Sequence, residues 1–377
     1  MSVLGGVRLD HVELRHVRMP LVRPFRTSFG TEHVRDVLLV RVEATDSEGW
    51  AECATEPEPG FSSEYTAGAE HVLEHHLIPR LLAVEQLTAS AVATALAPVK
   101  GHRMAKAALE TAVLDAELRA SRLSLGAHLG ATRDAVDCGV SVGIAGSVDE
   151  LIDHVAGYLT EGYRRVKLKI EPGCDIAPVT AVRQRWPDVP LQVDANTAYR
   201  VDDAHHLARF DALGLVLIEQ PLPADDLAGH ADLAKLLRTP ICLDESIVSV
   251  AATQAALRIG ACSIVNIKPA RVGGYLEARR IHDLCLELDV PVWCGGMLET
   301  GVGRAANLAL AALPNFTLPG DTSASNRYYE VDLTEPFVLD DGRLRVPTGP
   351  GIGVTPLPDV LADVTTSVRH IGRGDLA

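Results

Sequence analysis

The chain has 377 residues, 47% of them hydrophobic, so it is long enough for a barrel of about 250 residues and a smaller second domain. Its formal net charge of −15 excludes a protein that binds the phosphate backbone of nucleic acids by charge attraction. The seven cysteines form no C-x-x-C pair, no signal-peptide pattern is present, and no apolar run approaches about 18 residues. These features predict a cytoplasmic protein with reduced cysteines and no membrane segment.

The first part of the chain predicts an antiparallel sheet outside any barrel. Residues 7–20 and 36–52 have the alternation and turn residues of strands, and residues 64 to about 130 have helical spacing of apolar side chains. Two polar loops, at 24–31 and 55–62, interrupt this pattern and each carries phenylalanine. Both loops fit ordinary hairpin and strand-to-helix connections and equally fit a lid whose aromatic side chains face a substrate.

Short apolar runs that each end in a charged residue dominate residues 163–271. The run ends follow one another about every 25 residues and are Lys169, Asp194, Glu219, Asp244 and Lys268. This interval is near the minimum for a strand followed by a helix, so the repeat predicts consecutive βα units of a parallel barrel. Ser141 ends an earlier run, and Cys294 and Gly320 continue the interval, which completes eight units.

The charged run ends predict a single metal site, because the C-terminal strand ends of such a barrel meet at one mouth. Asp194, Glu219 and Asp244 are hard oxygen ligands on three consecutive strands. We expect them to bind Mg²⁺, for which Mn²⁺ or Co²⁺ could substitute, with positions left open for water and substrate.

Lysines flank these carboxylates from the neighbouring strands on either side. Lys167 and Lys169 lie two residues apart on one strand and share a face, so the charge of Lys167 favours a neutral, basic Lys169. Lys169 and Lys268 are therefore candidate catalytic residues, whereas Lys167 is predicted to be an electrostatic helper. Asn196 and Glu245 are predicted to hold ligands or lysines in place.

The order of these motifs resembles the enolase superfamily, in particular its muconate-lactonizing subgroup. The motifs are K-x-K at 167–169, D-x-N at 194–196, E-Q-P at 219–221, D-E-S at 244–246 and K-P at 268–269. Within the subgroup the chain is similar to the N-succinylamino acid racemase and o-succinylbenzoate synthase family, also called N-acylamino acid racemases. The segments that carry this similarity are 24–30, 101–106, 295–301 and 318–325.

The resemblance implies a modified (β/α)8 TIM-type barrel of the (β/α)7β kind at residues 131–325. The short alternating segments within 331–355, which are rich in Pro and Gly, are expected by themselves to return to the N-terminal sheet. The resemblance implies an α+β capping domain with lid loops at 1–130, completed by 326–377. It also implies a homo-oligomer and a substrate site bordered by five residues. These are Ser141, Phe25, Phe61, Gly296 and Met297.

The resemblance further implies an N-acylamino acid racemase with o-succinylbenzoate synthase activity on a small-molecule carboxylate substrate. A proton α to the carboxylate is removed to give an enediolate, whose charge the metal stabilises. In racemisation, Lys169 and Lys268 take and return the proton on opposite faces of Cα. In the synthase reaction, Lys169 takes the proton and protonates the departing hydroxyl, while Lys268 supplies positive charge.

Other functions remain open at this level. A dipeptide epimerase or a cycloisomerase would use the same site, although an epimerase should carry D-x-D at the last strand, where residues 320–323 read G-D-T-S. A metal-independent Schiff-base aldolase would use Lys169 or Lys268 as nucleophile and leaves the three carboxylates unexplained. A non-catalytic barrel should have lost a ligand or a lysine, and none is missing. Menaquinone synthesis and amino acid metabolism are both compatible roles.

Overall fold

The structure is a computed structural model that describes residues 5–376 and contains three sheets. The strands are β1 (Leu9–Thr27), β2 (Gly30–Ala44), β3 (Ser47–Cys53), β4 (Ala135–Asp137), β5 (Gly139–Val142), β6 (Arg165–Lys169), β7 (Leu191–Asp194), β8 (Ile218–Glu219), β9 (Ile241–Leu243), β10 (Ile264–Ile267), β11 (Val292–Cys294), β12 (Arg343–Arg345) and β13 (Thr365–Gly372). The helices are α1 (Thr66–Val72), α2 (Ile78–Leu82), α3 (Ala89–Ala95), α4 (Arg103–Ala120), α5 (Leu125–Leu129), α6 (Val148–Thr160), α7 (Ile176–Arg185), α8 (Ala204–Leu207), α9 (Leu227–Leu236), α10 (Val250–Arg258), α11 (Pro269–Val272), α12 (Tyr275–Glu287), α13 (Gly301–Ala311) and α14 (Pro358–Val364).

The N-terminal sheet is antiparallel and has the strand order β13-β1-β2-β3. The pairing of β1 with β2 continues to Thr27 and Gly30, so Ser28 and Phe29 form the turn of a long hairpin. The prediction of a loop over 24–31 is therefore wrong in detail. Phe25 and Thr27 are buried and Arg26 between them is exposed, which is the alternation of a strand, but the polar residues around them conceal it in the sequence.

Helix α4 lies between this sheet and the barrel, and almost all of its side chains are buried. It packs directly on β3, because a Cβ at Gly49 would lie 2.0 Å from the carbonyl oxygen of Ala112. Its polar side chains also reach the barrel. Glu110 accepts hydrogen bonds from the backbone N–H groups of Tyr275 and Leu276, which satisfies the first turn of α12.

The second sheet is parallel and contains seven strands in the order β5 to β11. Extended residues 316–321 close the ring, since Phe316 bridges to Val292 and the N–H of Gly139 donates to the carbonyl of Gly320 at 2.7 Å. The predicted modified (β/α)8 barrel is therefore confirmed, with its closing strand irregular. Side-chain caps begin several of its helices, as where Ser147 accepts from the N–H of Glu150 at the start of α6.

The predicted run ends coincide with the C-terminal ends of the parallel strands. Lys169, Asp194 and Glu219 are the last residues of β6, β7 and β8 and occupy paired positions in the sheet, while Asp244 and Lys268 follow β9 and β10 directly. Below them an apolar layer fills the barrel interior, as expected for alternating strand residues. Its buried members are Leu217, Cys242, Ile264 and Trp293.

The end of the chain differs from the prediction. Strand β12 pairs with β4, the short strand directly before the first barrel strand β5. The prediction that 331–355 returns to the N-terminal sheet is therefore wrong. Strand β13 makes that return instead and pairs with β1. Alternation in a sequence shows that a strand has two faces, but it does not name the strand beside it. In the described residues no helix is both long and apolar enough to span a membrane.

Candidate active site

A cavity of about 350 Å³ lies between the barrel mouth and the lid formed by the β1–β2 hairpin and the loop before α1. All five predicted substrate-binding residues line it, namely Ser141, Phe25, Phe61, Gly296 and Met297. Four predicted catalytic or supporting residues also line it, namely Lys167, Lys169, Lys268 and Asn196. The structure therefore brings these side chains to one space, and their individual roles stay predictions.

The two candidate catalytic lysines enter this cavity from different strands. Lys169 Nζ lies 2.7 Å from Asp194 Oδ2 and 2.6 Å from Asn196 Oδ1. Lys268 Nζ lies 2.9 Å from Asp244 Oδ2, and the ring of Phe61 in the lid covers it at 4.3 Å. Both amines are thus fixed by a carboxylate, and an aromatic face shields one of them.

The three candidate metal ligands lie beneath the lysines. Asp194, Glu219 and Asp244 are fully buried and do not line the cavity. Lys167 Nζ lies between two of them, at 3.2 Å from Asp194 and 3.0 Å from Glu219. Burial would lower the pKa of Lys167, but the charges of Asp321, Glu219 and Asp194 outweigh it and raise this pKa well above its usual range, so this lysine is a fixed positive charge.

The carboxylates differ in how well they are compensated. Burial would raise the pKa of Asp194, but Lys169 and Lys167 outweigh it and hold this pKa well below its usual range. Burial raises the pKa of Glu219, and the charge of Asp194 raises it further. The lysines therefore do not fully balance the negative charge at Glu219.

This charge pattern bears on whether the three carboxylates could hold a metal ion. No three Asp, Glu, His or Cys side chains in the described part of the chain converge as a ready-made metal cage. Cationic side chains contact the three carboxylates instead, which marks positions for positive charge. Lys167 contacts Asp194 and Glu219, Lys169 contacts Asp194, and both Lys268 and Arg271 contact Asp244. The all-oxygen donor set fits a hard divalent cation, which would replace some of these contacts.

The predicted supporting residues Asn196 and Glu245 are hydrogen-bonded to each other, and Asn196 is also hydrogen-bonded to the candidate metal ligand Asp194. Asn196 has φ of 41°, and its N–H donates to Asp194 Oδ1 at 3.0 Å. Its side-chain amide donates to Glu245 Oε1 at 3.0 Å. Burial and the charge of Asp194 raise the pKa of Glu245 to about 7.

The sequence prediction missed Asp321 and Arg165. Asp321 accepts hydrogen bonds from Lys167 at 2.6 Å and from Arg165 at 2.9 Å. Burial would raise the pKa of Asp321, but these two cations lower it to about 2. Alternation could have revealed Arg165, because it precedes Lys167 by two residues on β6 and shares the inward face with Lys169.

Arg271 and Asn266 were also missed. Arg271 donates to Asp244, to the carbonyl of Ile247 at 2.7 Å and to the carbonyl of Asn266 at 2.8 Å. Burial lowers its pKa to about 9. Asn266 donates to Glu219 Oε1 at 2.7 Å. Each candidate metal ligand therefore has a partner that fixes its orientation.

The hairpin of the lid is seated on the barrel by three contacts. The N–H of Ile144 donates to the carbonyl of Arg26 at 2.9 Å. Arg26 pairs with Glu171, two residues after the candidate base, at 2.6 Å. Ser28 Oγ lies 3.3 Å from the carbonyl oxygen of Asn196. The lid is thus closed against the loops that follow β5, β6 and β7.

Two protein-family models match most of the chain, and both agree with the fold and the site described above. Residues 10–130 match the mandelate racemase / muconate lactonizing enzyme N-terminal domain, and residues 150–360 match the enolase C-terminal domain-like family. The chain belongs to the enolase superfamily. Enzymes of this mandelate racemase and muconate lactonizing enzyme group depend on a divalent metal ion.

Enolase superfamily relatives cover nearly the whole chain. An N-succinylamino acid racemase of Amycolatopsis sp is 64% identical over 367 residues, which cover 97% of this chain and 100% of that protein. An o-succinylbenzoate synthase of Geobacillus kaustophilus is 48% identical over 92% of this chain and 93% of its own. An enolase superfamily member from Listeria innocua has a solved structure with a TM-score of 0.93 and 40% identity, over 97% of this chain and 99% of that one.

Proposed function

We propose that this protein racemises N-acylamino acids, N-succinylamino acids among them, and also catalyses the o-succinylbenzoate synthase reaction, with Mg²⁺ as its metal. One observation carries the proposal. Strands β6 and β10 are separated by β7, β8 and β9 on one side of the ring and by β11, the closing segment 316–321 and β5 on the other. Lys169 and Lys268 therefore approach a ligand from opposite sides of the barrel, as a two-base racemase requires.

The lysines divide the proton transfers between them. For one enantiomer, Lys169 accepts the α-proton and the ammonium of Lys268 donates a proton to the other face of Cα. The roles are reversed for the mirror-image substrate. In the synthase reaction, Lys169 accepts the proton and delivers it to the departing hydroxyl, while Lys268 remains charged beside the substrate. The lid excludes water from both amines during these steps.

The metal would be held by Asp194, Glu219 and Asp244. A divalent ion bound there supplies positive charge that stabilises the substrate carboxylate as the α-proton leaves. Lys167 would keep a partner for its charge in Asp321, which accepts its hydrogen bond at 2.6 Å. We further propose that the substrate is a small-molecule carboxylate and that the protein is a homo-oligomer.

The surroundings of Asp321 disfavour a dipeptide epimerase. An epimerase needs free carboxylates at the last strand to hold the ammonium of its substrate. Asp321 already pairs with Lys167 and Arg165, both of which are buried with it. Both oxygens of Asp321 are therefore already paired with a buried cation, which weakens its attraction for a dipeptide ammonium group, and the racemase proposal needs no such contact.

The test is proton NMR of an N-succinyl-L-amino acid in deuterium oxide with enzyme and Mg²⁺. We expect metal-dependent loss of the α-proton signal with conversion to the racemate, and no racemisation by Lys169→Ala or Lys268→Ala. Lys235→Ala removes an exposed lysine outside the cavity and should racemise like the wild type. Absence of exchange in the metal-loaded wild type would refute the racemase proposal, and the synthase substrate would then test the second activity separately.

A further inference from the structure

One half-buried carboxylate in the cavity wall has no hydrogen-bond or ion-pair partner among the described residues. The wall contains four carboxylates, of Glu32, Glu56, Glu58 and Asp321. Glu32 pairs with Arg35 at 2.9 Å, and Asp321 pairs with the buried cations beneath it. Within the described residues, the carboxylates of Glu56 and Glu58 make no hydrogen bond or ion pair. Glu58 is exposed to water, whereas Glu56 is half-buried.

The backbone fixes Glu56 at the edge of the cavity. Its carbonyl oxygen accepts hydrogen bonds from Thr66 N at 2.9 Å and from Thr66 Oγ1 at 3.1 Å. The residue before it, Thr55, is fully buried. Glu56 is therefore held beside the first turn of α1, and its side chain is presented to the cavity from an ordered position.

Glu56 is a carboxylate that has lost water without gaining an ion pair among the described residues. Burial, together with the charge of Glu32, raises its pKa by more than the charges of Arg35, Lys268 and Lys169 lower it. The guanidinium of Arg35 is held by Glu32 and by the carbonyl of Thr55. A ligand that brings its own N–H donor or positive charge would compensate Glu56.

The cavity also offers an apolar path to this carboxylate. If the Cα atom of the substrate lies between Lys169 and Lys268, the substrate carboxylate faces the three buried candidate metal ligands. The acylamino group and the side chain of the substrate then extend towards the lid. There the rings of Phe29 and Phe61 lie 6.5 Å apart and line the same cavity as Glu56. A long methylene stem that ends in a cation suits such a wall.

We propose that Glu56 determines side-chain specificity, so that N-acyl derivatives of lysine and arginine are preferred over those of glutamate and aspartate. This inference rests on the proposed racemase function. It assigns Glu56 a direct contact with the substrate side chain and gives it no part in the proton transfers.

The test compares kcat/KM for racemisation of three N-succinyl-L-amino acids, in which the α-amino group of lysine, methionine or glutamate is succinylated. The wild type should prefer the lysine derivative to the glutamate derivative. Glu56→Gln should lower kcat/KM for the lysine derivative about tenfold, raise it for the glutamate derivative, and change the methionine derivative less than about twofold. Glu56→Asp, which keeps the charge, should retain part of the preference.

Glu335→Gln is the matched control, because it removes the same charge from an exposed residue that does not line the cavity. It should leave all three values within about twofold of the wild type. Equal effects of Glu56→Gln on all three substrates, or a wild type without preference for the lysine derivative, would overturn the inference while the racemase function stands. If the wild type racemises none of the three, the proposed function fails and the inference fails with it.

Discussion

Glu110 gives the sharpest prediction about stability, because it is a buried carboxylate in the contact between α4 and the barrel. The side chain is 4% exposed and accepts hydrogen bonds from Tyr275 N at 3.1 Å and from Leu276 N at 2.9 Å. Burial raises its pKa from 4.5 to about 7, and the two N–H groups offset only part of this rise. Ionisation of Glu110 therefore destabilises the folded protein.

The sign and size of the effect follow from linkage. In the unfolded chain this carboxyl group ionises near its ordinary value, and in the folded protein only near pH 7, so the folded state binds the proton more tightly. The contribution of Glu110 to the free energy of unfolding is fully present below the pKa that this group has in the unfolded chain. It is lost as the pH rises through the pKa that the group has in the folded protein. The total loss is about 3 kcal/mol, of which about 2 kcal/mol falls between pH 5.5 and pH 8.5.

Glu110→Gln keeps the shape and an acceptor oxygen but cannot ionise. Urea titrations at the two pH values should show that the free energy of unfolding of the variant, relative to the wild type, rises by about 2 kcal/mol from pH 5.5 to pH 8.5. Glu335→Gln, at an exposed position, controls for the change of net charge and should show a pH-dependent difference near zero. A difference for Glu110→Gln that matches this control would refute the reasoning.

Three further predictions concern the site. Arg165→Met leaves buried Asp321 with one cation fewer, so the free energy of unfolding should fall by about 3 to 5 kcal/mol in urea titrations, and an unchanged value would contradict the ion pair. Phe61→Ala removes the ring over Lys268, so kcat/KM for racemisation should fall about tenfold, whereas Phe61→Tyr keeps a ring and should stay within about threefold; equal losses would argue against ring contact. Chelation of the metal should abolish activity, and adding Mg²⁺ at about 100 times its Kd should raise the stability by about 3 kcal/mol in thermal melts, with no such rise in Asp244→Ala.

Much of the fold and the candidate site could be predicted from local features of the sequence. The interval of about 25 residues between charged run ends reflects the length of one strand, one helix and two turns. Parallel strands place their C-terminal ends at the same rim, so Lys169 and Lys268 could be assigned to one mouth before any coordinates were known. The fold class and the charged residues at the barrel mouth can therefore be predicted from the spacing of residues along the sequence.

Contacts between distant segments could not be predicted in this way. Strand β13 pairs with β1 across almost the entire chain, and alternation alone had favoured an earlier segment. The strands of the lid hairpin are longer than the sequence predicts, because its polar residues are buried or paired only when the hairpin meets the barrel. The partner of a side chain is set by which surfaces pack together, and that information is absent from any single window of sequence.

The barrel, the order of its strands and the residue types that meet at its mouth depend on period and spacing, so they can be read from the linear chain. The pairing of those charges is visible only in the folded protein. Lys167 lies between Asp194 and Glu219, Asp321 has two cations, and Glu56 has no ion pair among the described residues. The physical reason is that charge compensation acts over a few ångströms in space, and the groups concerned are brought within that distance only by folding.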